Sequence, residues 1–212
     1  MECLIGIHCK DFVLIAADMT TTQSIIVMKS DEHKIHKISN KLVMAVSGES
    51  GDTTQFSEYI GKNIQLYKMR NGYELSPKAA ACFTRRNLAD YLRSRTPYYV
   101  NMLLAGYDDN TNSCELYFID YLASCVKVPY AAHGYGGMFS MSVLDRYHKY
   151  DCTEQEGYAL LKKCVQEIQK RLIVNLPNFK VQKISKDGIQ DLQPITAENL
   201  ALESGARDLH TS

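Results

Sequence analysis

The sequence predicts an α+β fold in which two sheets stack face to face and helices cover their outer faces, a four-layer αββα sandwich. Segments with strand patterns come in three groups, and two pairs of helix patterns separate these groups. Several of the strand segments are apolar along most of their length, which is typical of sheets covered on both faces. Two such sheets bury both faces when they pack on each other with helices outside.

The first group of strands lies in residues 4–47. Residues 4–8 and 12–18 are apolar and β-branched, and a connection of hairpin length joins them. Three further strand patterns follow, at residues 24–29, 34–38 and 41–47. Leu42 to Val46 is apolar throughout, so we expect this strand to be buried on both faces.

Helical spacing replaces the strand pattern from Gly51 to about Met69. Asp52 is the predicted N-cap of this helix, because short carboxylates accept hydrogen bonds from the first free N–H groups. Ser76-Pro77 predicts the start of a second helix, with a capping hydroxyl and a proline in the first turn. This helix is expected to end before Thr96-Pro97.

The second half of the chain repeats the order of strands, helices and strands. Strand patterns lie at residues 101–107, 114–121 and 125–130. The glycine-rich turn at residues 133–137 precedes a predicted helix at 138–147, and Thr153 with Glu156 forms a capping box that opens a helix to about residue 172. A closing hairpin is predicted at residues 179–185 and 189–192, around an Asp-Gly turn.

Composition narrows the class of protein. The 212 residues predict one domain at residues 1–195 and a polar tail at 196–212. Lys plus Arg and Asp plus Glu both number 24, so net charge gives no reason to expect nucleic-acid or membrane binding. We find no signal-peptide pattern, and no apolar run approaches the roughly 18 residues that span a bilayer.

Seven cysteines are present, and no pair has C-x-x-C spacing. An odd count without such pairs disfavours a disulfide framework or a zinc site. We therefore expect reduced, mostly buried thiols in a cytosolic or nuclear protein, with neither a metal nor a cofactor.

Four features occur together in a specific order. The first hairpin ends at Asp18, Lys34 follows sixteen residues later, a glycine turn spans residues 47–52, and a second glycine turn at 134–137 precedes Asp145-Arg146. This order and spacing resembles the β-type subunits of the 20S proteasome, which are N-terminal-nucleophile hydrolases. The resemblance covers residues 1–192 and implies the αββα fold of that class.

Three segments narrow the resemblance further. Residues 67–77, 83–90 and 175–177 are similar to the eukaryotic β type-2 branch of the family. Members of that branch occupy the fourth position of the β ring and are non-catalytic. The resemblance therefore implies a structural subunit of a ring-shaped complex that degrades proteins in the ubiquitin pathway.

The site that the resemblance implies lacks its nucleophile. In catalytic members an N-terminal threonine hydroxyl attacks the substrate while its own α-amine accepts the proton. The resemblance assigns supporting roles to Asp18, Lys34 and the N–H of Gly48, which would donate to the oxyanion. Glu2 stands at the threonine position, with Met1 in front of it. We expect Met1 to be retained, as a candidate for N-acetylation.

Glu2 has no hydroxyl, and its amine lies in a peptide bond. Loss of a nucleophile costs on the order of 10⁶ in rate, so intact supporting groups would not restore activity. Residues 171–177 also stand where catalytic members carry an Asp-x-x-Ser-Gly segment. We therefore expect no catalytic residue, and interpret Asp18 and Lys34 as a structural ion pair.

Other interpretations stay open at this stage. Processing to Cys3 would give an N-terminal thiol and an active amidohydrolase, although a one-residue slip in a strand turns the side chain to the opposite face. His133 could serve as a base. A basic cluster on the second helix could bind nucleic acid or an acidic neighbour subunit; its members are Arg85, Arg86, Arg93 and Arg95.

The resemblance also implies partners and a location. The expected partners are other β subunits in a seven-membered ring, the adjoining α ring and the opposing β ring. Nucleic acid and membrane are not expected partners. The expected location is the cytoplasm and nucleus.

Overall fold

The computed structural model describes residues 2–23, 26–197 and 199–200. The strands in these ranges are β1 (Cys3–His8), β2 (Phe12–Asp18), β3 (Thr21–Gln23), β4 (Ile26–Lys29), β5 (Ile35–Ser39), β6 (Leu42–Gly48), β7 (Val100–Asp108), β8 (Ser113–Ile119), β9 (Cys125–Lys127), β10 (Tyr130–Gly134), β11 (Asn178–Ser185), β12 (Gly188–Asp191) and β13 (Ile195–Thr196). The helices are α1 (Ser50–Asn71), α2 (Pro77–Leu92), α3 (Tyr135–Tyr147) and α4 (Glu154–Arg171).

The strands form two large antiparallel sheets and a separate ribbon. The first sheet has the order β10-β1-β2-β11-β12, with β13 paired to β11. The second has the order β5-β6-β7-β8-β9, and β3 pairs with β4 in the ribbon. The mixture of helices and antiparallel sheets confirms the α+β class that the sequence predicted.

Three hydrophobic clusters form the core. One lies between the first sheet and helices α3 and α4, and another between the second sheet and helices α1 and α2. The third joins side chains of both sheets. In β6, Val43 and Ala45 belong to the cluster between the sheets, whereas Leu42, Met44 and Val46 face α1 and α2. This alternation confirms that β6 is buried on both faces.

Local capping signals predicted two helices well. The hydroxyl of Ser76 accepts the N–H of Ala79 at the start of α2. Thr153 and Glu156 form the predicted capping box at the start of α4. Both signals depend only on residues within one turn of each other, so the sequence alone was sufficient.

The predicted N-cap of α1 is wrong. The helix begins at Ser50 after Glu49, whose side chain makes no capping hydrogen bond. Asp52 lies inside the first turn, where its carboxylate accepts the N–H of Tyr99 at 3.0 Å. Gly51 was expected to serve a turn, but it is helical and a Cβ there would meet nothing within 4 Å.

The single strand predicted at residues 125–130 is two strands in different sheets. β9 pairs with β8, whereas β10 pairs with β1. Pro129 separates them; it has no N–H for a ladder, and its carbonyl accepts the N–H of His8 at 2.8 Å. His133 consequently lies in β10, and α3 begins at Tyr135 instead of Met138.

Further elements differ in their limits. β3 and β13 were not predicted, and residues 24–25 of the predicted strand 24–29 lie outside the described residues. Strand β13 crosses the predicted boundary at 195/196, and Leu200 packs in the cluster beside α4. Residues 201–212 of the predicted tail lie outside the described part of the chain.

None of the described helices is long and apolar enough to cross a membrane.

Candidate functional site

Asp18 is the centre of the candidate site. It ends β2, and its side chain is fully buried. One carboxylate oxygen accepts the N–H of Cys3 at 2.7 Å, and the other accepts the N–H of Thr20 at 3.1 Å and the ammonium of Lys34 at 2.8 Å. These donors satisfy both oxygens, which is what allows a carboxylate to be buried.

Lys34 connects this carboxylate to the second sheet. It directly precedes β5, and its side chain is almost fully buried. Its Nζ also donates to the carbonyl of Thr20 at 2.8 Å, and its own carbonyl accepts the N–H of Val46 from β6. The structure therefore brings together Asp18 and Lys34, as the resemblance implied, in a closed network.

Glu2 completes the group. Its Oε2 accepts the N–H of Gly48 at 2.6 Å, and its Oε1 lies 3.6 Å from the Nζ of Lys34. Burial raises the pKa of the Glu2 carboxyl above its usual range, although the Lys34 ammonium and the Gly48 N–H act in the opposite direction. The four residues named from the sequence thus form one contiguous site.

Gly48 has a backbone that other residues would not tolerate. Its φ is +143°, and a Cβ there would overlap the carbonyl of Tyr99. The N–H of the next residue, Glu49, donates to that same carbonyl at 3.2 Å. This close approach of two backbone segments fixes the position from which Gly48 donates to Glu2.

A surface cavity of about 690 Å³ opens beside this site. Glu2 and Gly48 line it together with Thr21, Ser47, Asn101 and Tyr135. The lining of the cavity thus includes the Glu2 carboxylate, which accepts the N–H that the resemblance assigns to an oxyanion.

Cys3 does not join this site. Its thiol is fully buried in the cluster between the first sheet and α3 and α4, and a Cβ at Gly136 would overlap it. Burial, with the nearby Asp18 carboxylate, raises the pKa of the Cys3 thiol well above its ordinary value. The Cys3 side chain therefore points away from the cavity that Glu2 lines. This is the result expected for two residues that are one position apart in an extended strand.

His133 is a neutral structural group. Its ring stacks on Phe118 with centroids 4.1 Å apart, and its Nε2 lies 3.0 Å from the carbonyl of Met102. Burial lowers the pKa of His133 to about 4. It does not line the cavity beside Glu2 and Gly48, which gives the interpretation as a base no support from this cavity.

The basic cluster is more dispersed than predicted. Only Arg85 and Arg86 lie within α2; Arg93 is its C-cap and Arg95 lies beyond it. Arg85 donates to the carbonyl of Ala123 at 3.2 Å. The four arginines therefore do not all lie on one helix, contrary to the prediction from the sequence.

Residues 171–177 supply packing to the core. Val174 and Leu176 are buried in the cluster with α3 and α4, whereas Ile173 is exposed. None of the three lines the cavity in the described part of the chain. Thr20 was not predicted from the sequence, although its N–H donates to Asp18 and its carbonyl accepts from Lys34. An aspartate that accepts the N–H two residues later is a recognisable Asx-turn signal.

Comparison with known proteins gives consistent matches. A family model described as "Proteasome subunit" matches residues 2–184. The chain is 44% identical to "Proteasome subunit beta type-4" of Saccharomyces cerevisiae over 198 residues, which is 93% of this chain and 100% of that protein. It is 46% identical to "Proteasome subunit beta type-2-A" of Arabidopsis thaliana over 191 residues, 90% of this chain and 93% of that protein. "Probable proteasome subunit beta type-4" of Neurospora crassa is 47% identical over 193 residues, 91% of this chain and 95% of that protein.

Proposed function

The chain belongs to the proteasome subunit family as a β-type subunit, and we propose that it is a non-catalytic member, which helps to build the core particle and cuts no peptide bond itself. Asp18, Lys34 and Gly48 keep the arrangement that would support a nucleophile. The nucleophile itself is absent, since Glu2 stands in its place.

One observation carries this proposal. The Gly48 N–H, which would have to donate to the oxyanion of a substrate, donates instead to the Glu2 carboxylate at 2.6 Å. A substrate carbonyl would have to displace that negatively charged oxygen from a short hydrogen bond. The Glu2 side chain therefore lacks a hydroxyl, and it also accepts the Gly48 N–H that would have to stabilise an oxyanion.

The alternative, an amidohydrolase that uses Cys3, has no support from the position of this side chain. Its thiol is buried against α3 and α4, and burial raises its pKa, so the reactive thiolate is disfavoured. Exposure of Cys3 to the cavity would require β1 to turn over, which would also remove its N–H from Asp18.

Electrophile labelling of assembled particles tests the proposal. Particles purified through a tagged copy of this chain are treated with a threonine-directed electrophile and a thiol-directed electrophile, and each subunit is examined by mass spectrometry. We expect label on other subunits, which serve as the positive control, and none at the N-terminus of this chain. Label at residue 2 or 3, or a processed N-terminus beginning at Cys3, would refute the proposal.

We further propose that the two sheets and two helix pairs stack as a four-layer αββα sandwich of the N-terminal-nucleophile hydrolase type. Support comes from the three hydrophobic clusters, one between the sheets and one beneath each helix pair. The division into a domain at residues 1–195 and a tail at 196–212 stays a prediction, and the burial of Leu200 favours a later boundary.

The proposed partners are other β subunits in a seven-membered ring, the α ring and the opposing β ring, in the cytoplasm and nucleus. The relatives named as proteasome subunits support assembly. Native mass spectrometry of tagged particles, with fractionation of the cells, tests both points. The same spectra would show whether Met1, which lies outside the described residues, is retained and acetylated.

A further inference from the structure

Two cysteines far apart in the sequence meet beside the first hairpin. Cys9 lies in the turn between β1 and β2 and is buried, whereas Cys152 lies between α3 and α4 and is half-buried. Their Sγ atoms are 2.6 Å apart, about half an ångström more than the S–S bond of about 2.05 Å. Both are free cysteines in this structure.

Contacts that do not involve sulfur hold the two segments together. The N–H of Lys10 donates to the carbonyl of Tyr150 at 2.7 Å, and Nε2 of His148 lies 2.9 Å from the carbonyl of His8. The rings of His8 and Tyr150 also meet edge to face, with centroids 5.5 Å apart. The backbone is therefore fixed beside both cysteines, so the sulfur atoms need no rearrangement of the fold to approach.

We propose that Cys9 and Cys152 form a reversible disulfide when the chain meets hydrogen peroxide. In the first step the sulfur of the half-buried Cys152 takes a hydroxyl from peroxide, the O–O bond breaks, and the other hydroxyl leaves with the thiol proton as water. In the second step the Cys9 sulfur displaces that hydroxyl, the S–S bond forms, and the hydroxyl leaves with the Cys9 proton as a second water. Two thiols lose two electrons and two protons, and a small thiol reductant reverses the reaction.

Three of the other cysteines are buried and so less accessible to peroxide than Cys152. Cys3 and Cys164 are fully buried in the cluster between the first sheet and helices α3 and α4. Cys114 lies in the cluster between the sheets, where its Sγ is 3.5 Å from the carbonyl of Asp11. Burial raises the pKa of the Cys9 thiol, so Cys9 is not the cysteine expected to react first with peroxide.

Peptide mapping without reductant tests the proposal. The full-length chain, in the particles that it enters, is treated with graded hydrogen peroxide, alkylated, digested and analysed by mass spectrometry. We expect a peptide pair that joins Cys9 to Cys152, lighter by two hydrogen atoms than the separate thiol peptides and released by reductant. Cys152→Ser should abolish the pair, whereas Cys82→Ser, a change at an exposed cysteine on α2, should leave its yield unchanged.

A second variant separates the two roles. In Cys9→Ser the oxidised Cys152 has no resolving thiol, so its sulfinic acid form should increase several-fold over the wild-type chain at equal peroxide. The proposal is wrong if wild-type Cys152 reaches the sulfinic acid without a cross-link, or if Cys9 pairs with Cys114. It is also wrong if both thiols stay reduced at peroxide levels that fully oxidise Cys82. Because Cys152 is less buried than Cys9, its serine variant is the one expected to fold normally.

Discussion

Lys34 and His133 are two basic side chains that are equally buried, each 6% exposed, yet they are accommodated in different ways. Lys34 donates to the Asp18 carboxylate and to the Thr20 carbonyl. His133 stacks on Phe118 and contacts a backbone carbonyl, and among the described residues no carboxylate lies within salt-bridge distance of it. Burial accordingly lowers the pKa of His133 to about 4.

Lys34 is therefore buried as a paired charge, whereas His133 is buried as a neutral ring. A buried charge persists only with a partner, and Asp18 provides it through an arrangement that also holds the N-terminus of β1. His133 needs no partner charge because its lowered pKa keeps the ring neutral. Both residues were candidates in the sequence, and only Lys34 lies next to the Glu2 carboxylate.

The largest expected effect follows from breaking the ion pair. Lys34→Met should lower the free energy of unfolding by about 3–5 kcal/mol, because the Asp18 carboxylate would remain buried without its cation. Urea unfolding of the full-length chain, followed by circular dichroism at neutral pH, measures this change.

The matched control is Lys62→Met, which removes the cation of a pair of similar length, 2.8 Å, on the surface of α1. Water solvates the remaining Glu58 carboxylate, so this variant should unfold close to the wild-type midpoint. Similar losses in both variants would show that burial of the Asp18–Lys34 pair is not what makes it stabilising.

A smaller effect is expected from His133 as the pH falls. Its folded pKa, about 4, lies below its ordinary value of 6.5, so the unfolded chain binds this proton more readily. The stability that depends on neutral His133 is therefore complete above pH 6.5 and is lost as the pH falls toward 4. The loss should reach about 3 kcal/mol at pH 4.

His133→Gln provides the comparison for this pH profile, since glutamine keeps an N–H donor near the Met102 carbonyl and does not titrate. Urea midpoints of both proteins between pH 7 and pH 4 should converge as the pH falls. Parallel profiles would mean that His133 does not contribute to acid sensitivity.

Much of the fold was predictable because its signals are local. The hairpin of β1 and β2 is apolar and short, and the caps at Ser76 and Thr153 lie within one turn of the groups they bind. The prediction of Asp52 as an N-cap was wrong because its hydrogen-bond partner, Tyr99, is distant in sequence. Tyr99 becomes a neighbour of Asp52 only when β7 pairs with β6. The division of residues 125–130 between sheets likewise depends on long-range pairing.

The candidate site was predictable in membership but not in geometry. The resemblance to a known family was sufficient to identify Asp18, Lys34, Gly48 and Glu2 as the members of the site. The contact between Glu2 and Gly48 joins residues 46 positions apart and depends on the approach of Tyr99 to the glycine. No pattern within either segment encodes that approach, so the occupation of the Gly48 N–H became visible only in the structure.

The smallest expected effect concerns Glu2, and it tests whether this carboxylate belongs with the Lys34 ion pair. Burial raises its folded pKa, so the stability that it contributes is present below about pH 4.5 and is lost as the pH rises through the folded pKa. Glu2→Gln keeps an oxygen that can accept the Gly48 N–H and removes this loss. At pH 7 the variant should be as stable as the wild-type chain or slightly more stable. The gain should be less than about 1 kcal/mol, because the Glu2 side chain is 25% exposed.

Urea midpoints at pH 4 and pH 7 measure the difference in stability. Glu49→Gln, at a residue that lines the same cavity, is the control for removal of a charge. If Glu2→Gln instead becomes the less stable protein as the pH rises, attraction to Lys34 outweighs burial, and Glu2 is a working member of the ion pair.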